Sequence, residues 1–340
     1  MIVESDFKVF EENGLTLNRE QKKAFNHLIE LIFLGKIKIE PVENCFCGKS
    51  KFTLLSRYDR FGLPFGTKIC HSCGLVSQTI RIHSDSLPLF YELIYWPLVS
   101  GKIEYLTPPK KDENSFNLLD FLPNKMNSIN IFEIGCGSGQ RIVSLKEELK
   151  SKIESINMIG CDYSFKALAL AKEKGVNVIQ GGIEDLAQLG KCDILIMSHV
   201  FEHFPDLKYA LKYIEKLTHP NSLVYIEVPG IIDLENKSEY EFNYQLYCVL
   251  AHTYNFSLST LESVFATKNF ELLKGDEYIR AIFRKGKGNK SAPSSFNRTM
   301  ESLRKAKINQ TYFEKRRNHP ITKYIRNLVK AFLGKIKDEI

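Results

Sequence analysis

Two cysteine pairs in the first quarter of the chain have the spacing of metal ligands. They form C-x-C-G at residues 45–48 and C-x-x-C-G at residues 70–74. Four thiolates in two glycine-ended knuckles make a closed tetrahedral zinc site, with no position left open for water. We therefore predict a structural Zn²⁺ that stabilises a segment too small to fold alone, with the ligands Cys45, Cys47, Cys70 and Cys73. Because C-x-C is shorter than the usual C-x-x-C, His71 is kept as an alternative to Cys45.

A glycine-rich loop in the middle of the chain has the composition of a ligand-binding turn. Residues 133–139 read E-I-G-C-G-S-G. Glycines there allow positive backbone dihedrals and let a ligand approach main-chain N–H groups closely. A dinucleotide-binding loop would have its third glycine one position later, where this chain has Gln140. The carboxylate of Glu133 would repel a pyrophosphate, so the pattern favours a ligand with an ammonium or sulfonium charge.

Two later loops carry residues suited to the rest of a nucleoside-containing ligand. Asp162 follows Gly139 by 23 residues, and a carboxylate in that position can accept hydrogen bonds from ribose hydroxyls. Its other possible role is to cap the following helix. In the segment 180–185, Gly181 and Gly182 allow close approach, and Ile183 is placed to pack on a flat base.

Alternating strand and helix patterns predict the elements that position these loops. Strands are predicted at 130–135, 156–162, 176–180, 193–200 and 223–228, and helices at 138–150, 165–174 and 207–217. This alternation indicates an α/β fold with a doubly wound parallel sheet, in which ligands bind beyond the carboxyl ends of the strands. A helix at 257–268 and an antiparallel hairpin from 270–273 and 278–283 complete the sheet. Near the N-terminus, residues 18–35 predict an amphipathic helix ended by Gly35.

In this order, the motifs resemble those of the class I S-adenosylmethionine-dependent methyltransferases, over residues 115–285. The segments 198–206 and 225–230 also look like the fourth and fifth strands of that family. The resemblance implies a seven-stranded Rossmann-like domain that binds S-adenosylmethionine. Its methionine part would lie at Glu133 and the glycines, its ribose at Asp162, and its adenine at Ile183 and Glu184. The full set of implied cofactor contacts is Glu133, Gly135, Cys136, Gly137, Gly139, Asp162, Tyr163, Gly182, Ile183, Glu184, Ser198 and His199.

A zinc module followed by such a domain is similar to a group of bacterial sugar methyltransferases, some of which methylate carbon in nucleotide-linked deoxysugars. The likeness extends to residues 58–64 between the knuckles, to the aromatic residues of 91–96, and to residues 251–257. It implies a sugar or nucleotide-sugar acceptor, used in deoxysugar or cell-surface polysaccharide biosynthesis. Carbon-methylating members carry Glu-His where this chain has Ala251-His252, so oxygen and carbon both stay open as the acceptor atom.

Methyl transfer to a hydroxyl, or to a carbon beside a ketone, requires a base. Histidine has a pKa suited to this task near neutrality. His252, on a loop expected over the pocket, is the first candidate base, and His203 is the second. Tyr254 is a third candidate catalytic residue, which would orient these groups together with Glu202. The alternative for His252 is a loop histidine that hydrogen-bonds the backbone.

The charge of the chain is concentrated at its C-terminal end. The 340 residues include 47 Lys plus Arg and 40 Asp plus Glu, but residues 284–340 alone hold 16 basic and 4 acidic residues. The remainder is slightly acidic, which argues against nucleic acid as a partner, although an RNA methyltransferase and a non-catalytic cofactor-binding module remain alternatives. Apolar residues at helical spacing from Ile321 to Ile336 predict a basic amphipathic helix. That helix would contact an anionic membrane through 320–340 or pack on the protein.

The sequence thus divides into five predicted regions in a cytoplasmic protein, which is peripheral on the membrane if the C-terminal helix binds lipid. No segment has the roughly 18 apolar residues of a spanning helix, and the first ten residues do not resemble a secretory signal. The regions are an N-terminal helical segment (1–40), a zinc-binding module (41–83), a linker with an aromatic helix at the acceptor pocket (84–123), a cofactor-binding domain (124–285) and a basic tail (286–340).

Overall fold

The first element of the fold is the amphipathic helix predicted near the N-terminus. The computed structural model describes residues 15–99, 101, 118–122, 126–286 and 292–320. Helix α1 (Arg19–Phe33) begins at a capping box, in which the Asn18 side chain accepts from the Gln21 backbone and the Gln21 side chain accepts from the Asn18 backbone. Gly35 follows with a φ of +68°, so the predicted end of the helix is confirmed.

The cysteine-rich segment forms short antiparallel strands. These strands are β1 (Ile39–Pro41), β2 (Phe52–Ser56), β3 (Thr67–Cys70), β4 (Val76–Gln78) and β5 (Ile80–Ile82). Strands β2, β3 and β4 pair in sequence, and β1 pairs with β5. A helical stretch follows, formed by α2 (Leu87–Phe90), a π-helical turn (Tyr91–Tyr95) and α3 (Trp96–Val99). The described part of the predicted linker is therefore helical, and it packs against α1.

A seven-stranded mixed sheet forms the centre of the next region. Its strands are β6 (Ser128–Ile134), β7 (Ser155–Asp162), β8 (Asn177–Gln180), β9 (Cys192–Ser198), β10 (Thr218–Glu227), β12 (Phe270–Gly275) and β13 (Arg280–Lys285). The spatial order is β12-β13-β10-β9-β6-β7-β8, and β13 alone runs antiparallel to the other six strands. The doubly wound sheet and its closing hairpin are confirmed.

Helices cover both faces of this sheet, as parallel strands require. They are α4 (Gln140–Leu149), α5 (Phe165–Glu173), α6 (Ile183–Leu186), α7 (Leu207–Leu217) and α9 (Leu258–Ala266). The short helix α8 (Tyr244–Tyr247) lies in a separate core with Leu55, Ile69 and Val76 of the cysteine-rich segment. One apolar core lies between the sheet and α7 and α9, and it includes Cys45, Cys70 and Leu75 of the cysteine-rich segment. The other core lies under α4 and α5. The cysteine-rich segment therefore shares its core with the sheet.

A two-residue strand gives a further link between the cysteine-rich segment and the region of the central sheet. Strand β11 (Tyr254–Asn255) pairs antiparallel with β4, so the small sheet has the order β11-β4-β3-β2. One residue, Thr253, separates His252 from this strand, so the pairing fixes the position of the candidate base relative to the cysteine-rich segment.

The helix α10 (Phe296–Asn318) was not predicted from the sequence. It packs against a 3₁₀ segment (Ile232–Asn236), where Ser302 donates to the carbonyl of Ile232 and Asn309 to that of Glu235. Its buried face mixes Met300, Leu303 and Ala306 with polar residues, so the sequence shows little apolar periodicity. The amphipathic helix predicted from Ile321 lies outside the described residues, and its contact with a membrane stays a prediction. Among the described residues, no helix is long and apolar enough to cross a bilayer.

Candidate functional site

The glycine loop after β6 forms an open cradle. Gly135, Gly137 and Gly139 have φ values of +68°, +52° and +71°, a conformation that side chains disfavour. A Cβ at Gly135 would lie 2.4 Å from the side chain of Val200, whereas a Cβ at Gly137 would meet no described atom within 4 Å. Gly135 therefore allows close packing of the loop, and Gly137 leaves space in which a ligand can reach the backbone.

Glu133 lies beneath this cradle in a state suited to a cationic ligand. Its side chain is 3% exposed, and its Oε2 has no hydrogen-bond partner among the described residues. Burial raises the pKa of Glu133 to about 8, although the guanidinium of Arg141 opposes the rise. A buried carboxyl oxygen without a partner fits the ammonium group of the predicted cofactor.

Arg141 organises the acidic groups around the cradle, and the sequence reasoning did not identify it. Its Nε lies 3.6 Å from Glu133 Oε1, and its NH2 donates to Ser198 Oγ at 2.9 Å and to Glu227 Oε2 at 2.8 Å. Ser198 also donates to Glu227 at 2.7 Å. Glu227 was missed as well, although an acidic residue at the carboxyl end of a parallel strand was the available signal.

Asp162 connects the ends of two strands. Its carboxylate accepts from the backbone N–H of Gly137 at 3.0 Å and of Ser164 at 2.8 Å. The cap of α5 is Ser164, whose side chain accepts from Ala167, so Asp162 is not the capping residue. The Asp162 carboxylate thus holds the glycine loop next to β7, where the resemblance places the ribose.

Beyond the end of β8, the predicted cofactor residues Tyr163, Gly182 and Glu184 lie together, whereas the side chain of Ile183 points into the core. A Cβ at Gly182 would lie 2.5 Å from Tyr163 Oη and 2.7 Å from Glu184 Oε2, so these two side chains converge on the glycine. Ile183 is 1% exposed in the apolar core. The Ile183 side chain thus completes the core beneath the sheet, and its packing on a base stays a prediction.

Cys136 lies at the base of the glycine cradle. Its side chain lies in the core with Ile142 and beside Gly160, its N–H donates to the carbonyl of Cys161, and its carbonyl accepts from the N–H of Gly139. Both of its backbone polar groups therefore have partners within the protein. Cys136 shapes the cradle, and its contact with a cofactor stays a prediction.

A buried cluster of polar side chains lies beside the cradle. It contains Glu202 and His203 on a 3₁₀ turn after β9, and His252 on the loop before β11. Glu202 is 1% exposed, and neither of its carboxylate oxygens has a hydrogen-bond partner among the described residues. Its Oε1 lies 3.6 Å from His203 Nε2, 3.9 Å from His252 Nε2 and 3.7 Å from the Nδ1 of the exposed His199. Two predicted base candidates thus meet at one carboxylate, which is hereafter called the Glu202 cluster.

The environment sets the protonation of the Glu202 cluster. Burial and the neighbouring His203 hold the pKa of His252 well below its usual value, so its imidazole is neutral near pH 7. Burial opposes ionisation of Glu202, but the surrounding imidazoles, His203 first, hold the pKa of its carboxyl far below the ordinary range. A neutral imidazole beside an ionised carboxylate can accept a proton.

An aromatic residue of the helical stretch connects the Glu202 cluster to the cofactor loops. Tyr91 Oη lies 2.8 Å from His203 Nδ1, and the Tyr91 ring stacks on Tyr163 with centroids 6.0 Å apart. Val200, which packs on Gly135, lies three residues before His203. The Glu202 cluster and the glycine cradle are therefore neighbouring parts of one site.

Tyr254 lies outside this arrangement. Its hydroxyl donates to the carbonyl of Pro205 at 3.2 Å, and its ring packs on Phe256. Burial raises its pKa to about 12, so it stays protonated. The Tyr254 hydroxyl thus holds the segment after His203, and a catalytic role for Tyr254 stays a prediction.

The segment between the knuckles holds the loop that carries His252. Asp59 is fully buried, and its carboxylate accepts from the backbone N–H groups of Phe61, Leu63 and Leu250. Gln78 donates to the carbonyl of Leu250 at 2.7 Å. The cysteine-rich segment therefore positions one of the candidate bases.

The four knuckle cysteines come together with the spacing of metal ligands. Cys45 Sγ lies 3.5 Å from Cys73 Sγ, and Cys47 Sγ lies 3.7 Å from Cys70 Sγ. Tetrahedral zinc with Zn–S bonds of about 2.3 Å requires sulfur separations of about 3.8 Å. The Cys45 thiol stabilises the thiolate of Cys73 and lowers its pKa to about 6. His71 instead bonds Thr53 Oγ1 at 2.8 Å, so Cys45 and not His71 completes the set.

Comparison with known proteins agrees with this architecture. Residues 110–274 match a family model described as a methyltransferase domain. No curated protein matches the chain in sequence.

Three solved structures with similar regions are an S-adenosylmethionine-dependent methyltransferase from Archaeoglobus fulgidus, the YcgJ protein from Bacillus subtilis and DesVI from Streptomyces venezuelae. The first is 19% identical, with 45% of this chain and 66% of that chain covered and a TM-score of 0.35. The second is 18% identical, with 44% and 65% covered and a TM-score of 0.33. The third is 18% identical, with 29% and 42% covered and a TM-score of 0.25. The chain spans less than two thirds of each of these proteins.

The sheet order and the glycine cradle are those of the class I S-adenosylmethionine-dependent methyltransferase fold, and residues 110–274 match the methyltransferase family model. The chain therefore contains a methyltransferase domain with this fold.

Proposed function

We propose that this protein transfers a methyl group from S-adenosylmethionine to a sugar or a related hydroxylated small molecule. The observation that supports this most is the Glu202 cluster, which lies buried beside the cofactor cradle and contains two imidazoles and an ionised carboxylate. Such a cluster is suited to a polar acceptor that must lose a proton, and the resemblance to sugar methyltransferases points to the same class of acceptor.

The residues of the cradle are proposed to hold the cofactor. Glu133 would bind the ammonium group, the backbone at Gly137 would approach the methionine part, and Asp162 would accept from the ribose. When bound, S-adenosylmethionine supplies an electrophilic methyl group on a positively charged sulfur. Because such a displacement is in line, positioning of the acceptor contributes most of the catalysis.

His252 is the first candidate for the base, and His203 is the second. The low pKa of His252 leaves its lone pair free to accept the acceptor proton, and Glu202 would stabilise the imidazolium that forms. The hydrogen bond to Tyr91 holds the ring of His203 in place. We further propose that the four knuckle cysteines bind a structural Zn²⁺.

Replacement of His252 by Gln tests the proposal. We expect turnover to fall by about 10²–10⁴-fold, the usual contribution of a general base, with little change in the affinity for S-adenosylmethionine. The assay uses labelled cofactor with a panel of nucleotide sugars, and total RNA in parallel. His219→Gln, at a surface histidine 3.0 Å from Asp193, is the matched control. Full turnover in His252→Gln would remove this residue from the mechanism, and transfer to RNA alone would overturn the sugar acceptor.

Arg141 gives a second prediction, on cofactor affinity. Replacement by Met removes the positive charge that opposes protonation of Glu133, so the pKa of Glu133 should rise further. A rise of about one pKa unit would weaken S-adenosylmethionine binding by about tenfold near pH 7. Isothermal titration calorimetry measures the change. Arg304→Met, on the exposed face of α10, is the control and should bind with unchanged affinity.

A further inference from the structure

The distances within the Glu202 cluster do not correspond to hydrogen bonds. Separations of 3.6 Å and 3.9 Å from Glu202 Oε1 to His203 Nε2 and His252 Nε2 are too long for that. Both Glu202 oxygens and His203 Nε2 are buried without hydrogen-bond partners among the described residues, and so is His252 Nδ1, the ring nitrogen that is not the one placed against Glu202. Buried polar atoms are rarely left unpaired, so an additional group is needed between these side chains.

The spacing is that of ligands around a metal ion. A tetrahedral ion with Zn–N and Zn–O bonds of about 2.1 Å separates its ligand atoms by about 3.4 Å. Zn–S bonds are longer and require a larger separation, and the sulfur atoms of the knuckle cysteines lie 3.5 Å apart in the pair Cys45–Cys73 and 3.7 Å apart in the pair Cys47–Cys70. In both clusters, therefore, ligand atoms face one another at the distance that a shared cation would impose.

The surroundings of the histidines also fit a metal site. Histidine ligands usually donate their second ring N–H to a neighbouring group, which fixes the tautomer and the ring orientation. Tyr91 Oη, 2.8 Å from His203 Nδ1, is in position to accept that bond and would leave Nε2 free to bind an ion. On the other side, Asp59 and Gln78 hold Leu250, two residues before His252.

We propose that Glu202, His203 and His252 bind a divalent transition-metal cation such as Zn²⁺, at a second site distinct from the four cysteines. Two imidazoles and one carboxylate are a common ligand set for such ions, and three protein ligands leave a position open. The cysteine site would be closed and structural, whereas this one lies beside the cofactor cradle.

The role that we give the cation in catalysis rests on the proposed function. The binding of the cation to Glu202, His203 and His252 does not depend on that function. An oxygen of the acceptor would take the open position, which narrows the acceptor to a molecule that presents a hydroxyl or carbonyl beside the methyl donor. The lone pair of His252 cannot hold a cation and accept a proton at the same time. His252 is therefore a ligand while the cation is bound, and the base role proposed above applies to the protein without this cation.

The metal content of the full chain tests the site. After equilibration with Zn²⁺ and removal of the free ion, elemental analysis should give two zinc ions per wild-type chain. The Glu202→Gln and His252→Gln variants should each retain one, held by the cysteines. His219→Gln, at a histidine that is paired with a carboxylate but belongs to no such cluster, is the control and should retain two. Binding of S-adenosylmethionine by each variant shows that the domain is folded.

Cobalt substitution assigns the two sites separately. Co²⁺ bound to thiolates gives an intense sulfur-to-metal charge-transfer band, and Co²⁺ bound to nitrogen and oxygen gives only weak visible bands. We expect the weak bands to be lost in His252→Gln and the intense band to persist. One zinc ion per wild-type chain, or two in both variants, would overturn the metal site and leave the methyltransferase proposal standing. Two ions without transfer to any acceptor would overturn the proposed function and leave the metal site standing.

Discussion

Replacement of Cys70 and Cys73 by Ser is expected to unfold the cysteine-rich segment and to abolish methyl transfer. Structural zinc contributes about 10–16 kcal/mol in zinc-finger peptides, which is as large as the whole stability of a typical domain, about 5–15 kcal/mol. Cys70 and Leu75 lie in the core shared with the central sheet, so the loss of the site removes part of that core. Thermal unfolding and zinc content measure the result, which should be a lower Tm and one zinc ion fewer per chain.

The loss of activity in this variant would follow from the position of His252. Asp59 and Gln78 belong to the cysteine-rich segment and hold the backbone two residues before that histidine. His71→Gln is the matched control, because the His71 ring bonds Thr53 and not a metal. It should keep its zinc content and most of its turnover. An unchanged Tm and zinc content in Cys70→Ser/Cys73→Ser would show that these cysteines hold no metal.

Replacement of Glu133 by Gln is expected to weaken S-adenosylmethionine binding by about 10–100-fold. Hydrogen bonds to charged groups contribute about 1.5–3 kcal/mol, which corresponds to this range of affinity. The carboxyl of Glu133 is buried and has an oxygen without a described partner, so no solvent compensates for its loss. Isothermal titration calorimetry measures the dissociation constant directly. Gln has nearly the same shape as Glu, and the fold should therefore be unchanged.

The same carboxyl predicts a pH dependence of cofactor binding. Burial raises the pKa of Glu133 to about 8, so in the cofactor-free protein the carboxyl is mostly protonated at pH 7. A cationic ligand favours the carboxylate, and binding at pH 7 should therefore release close to one proton. Affinity should rise by about tenfold per pH unit below pH 8 and level off above it.

Comparison of the wild type with Glu133→Gln isolates the contribution of Glu133 to the pH dependence of cofactor binding. The amino group of the cofactor titrates equally in wild type and in Glu133→Gln, so the difference between their pH profiles belongs to Glu133. Proton release is measured by calorimetry in buffers of different ionisation enthalpy. Equal affinities, or parallel pH profiles, would show that Glu133 does not face the cofactor charge.

The sequence by itself was sufficient for the central sheet, the cysteine set and the glycine cradle. Each depends on local rules: apolar runs of strand length, paired knuckles ended by glycine, and glycines where the backbone takes positive φ. The acidic residues at the carboxyl ends of β6 and β7 follow from the same rules, because parallel strands bring these ends together. Local patterning therefore indicated that Glu133 and Asp162 lie at the same edge of the sheet, where the structure places them.

Other features depended on contacts between distant segments. Ile183 and Tyr254 have the residue types of a binding site, but the packing of the core buries the first and a bond to Pro205 uses the second. The helix α10 has a buried face rich in polar residues, which only its partners in 232–236 make favourable. No spacing along the chain shows such partners.

The Glu202 cluster shows most clearly how a site depends on contacts between distant segments. His203 and His252 were each predicted as a base, but they lie 49 residues apart in the sequence. Their convergence on one carboxylate depends on the pairing of β11 with β4 and on the hydrogen bonds of Asp59. The sequence thus determined which chemistry the chain carries, through residue types at short spacing. Only the tertiary structure decided which of those residues share one pocket, because long-range strand pairing and burial set the distances between them.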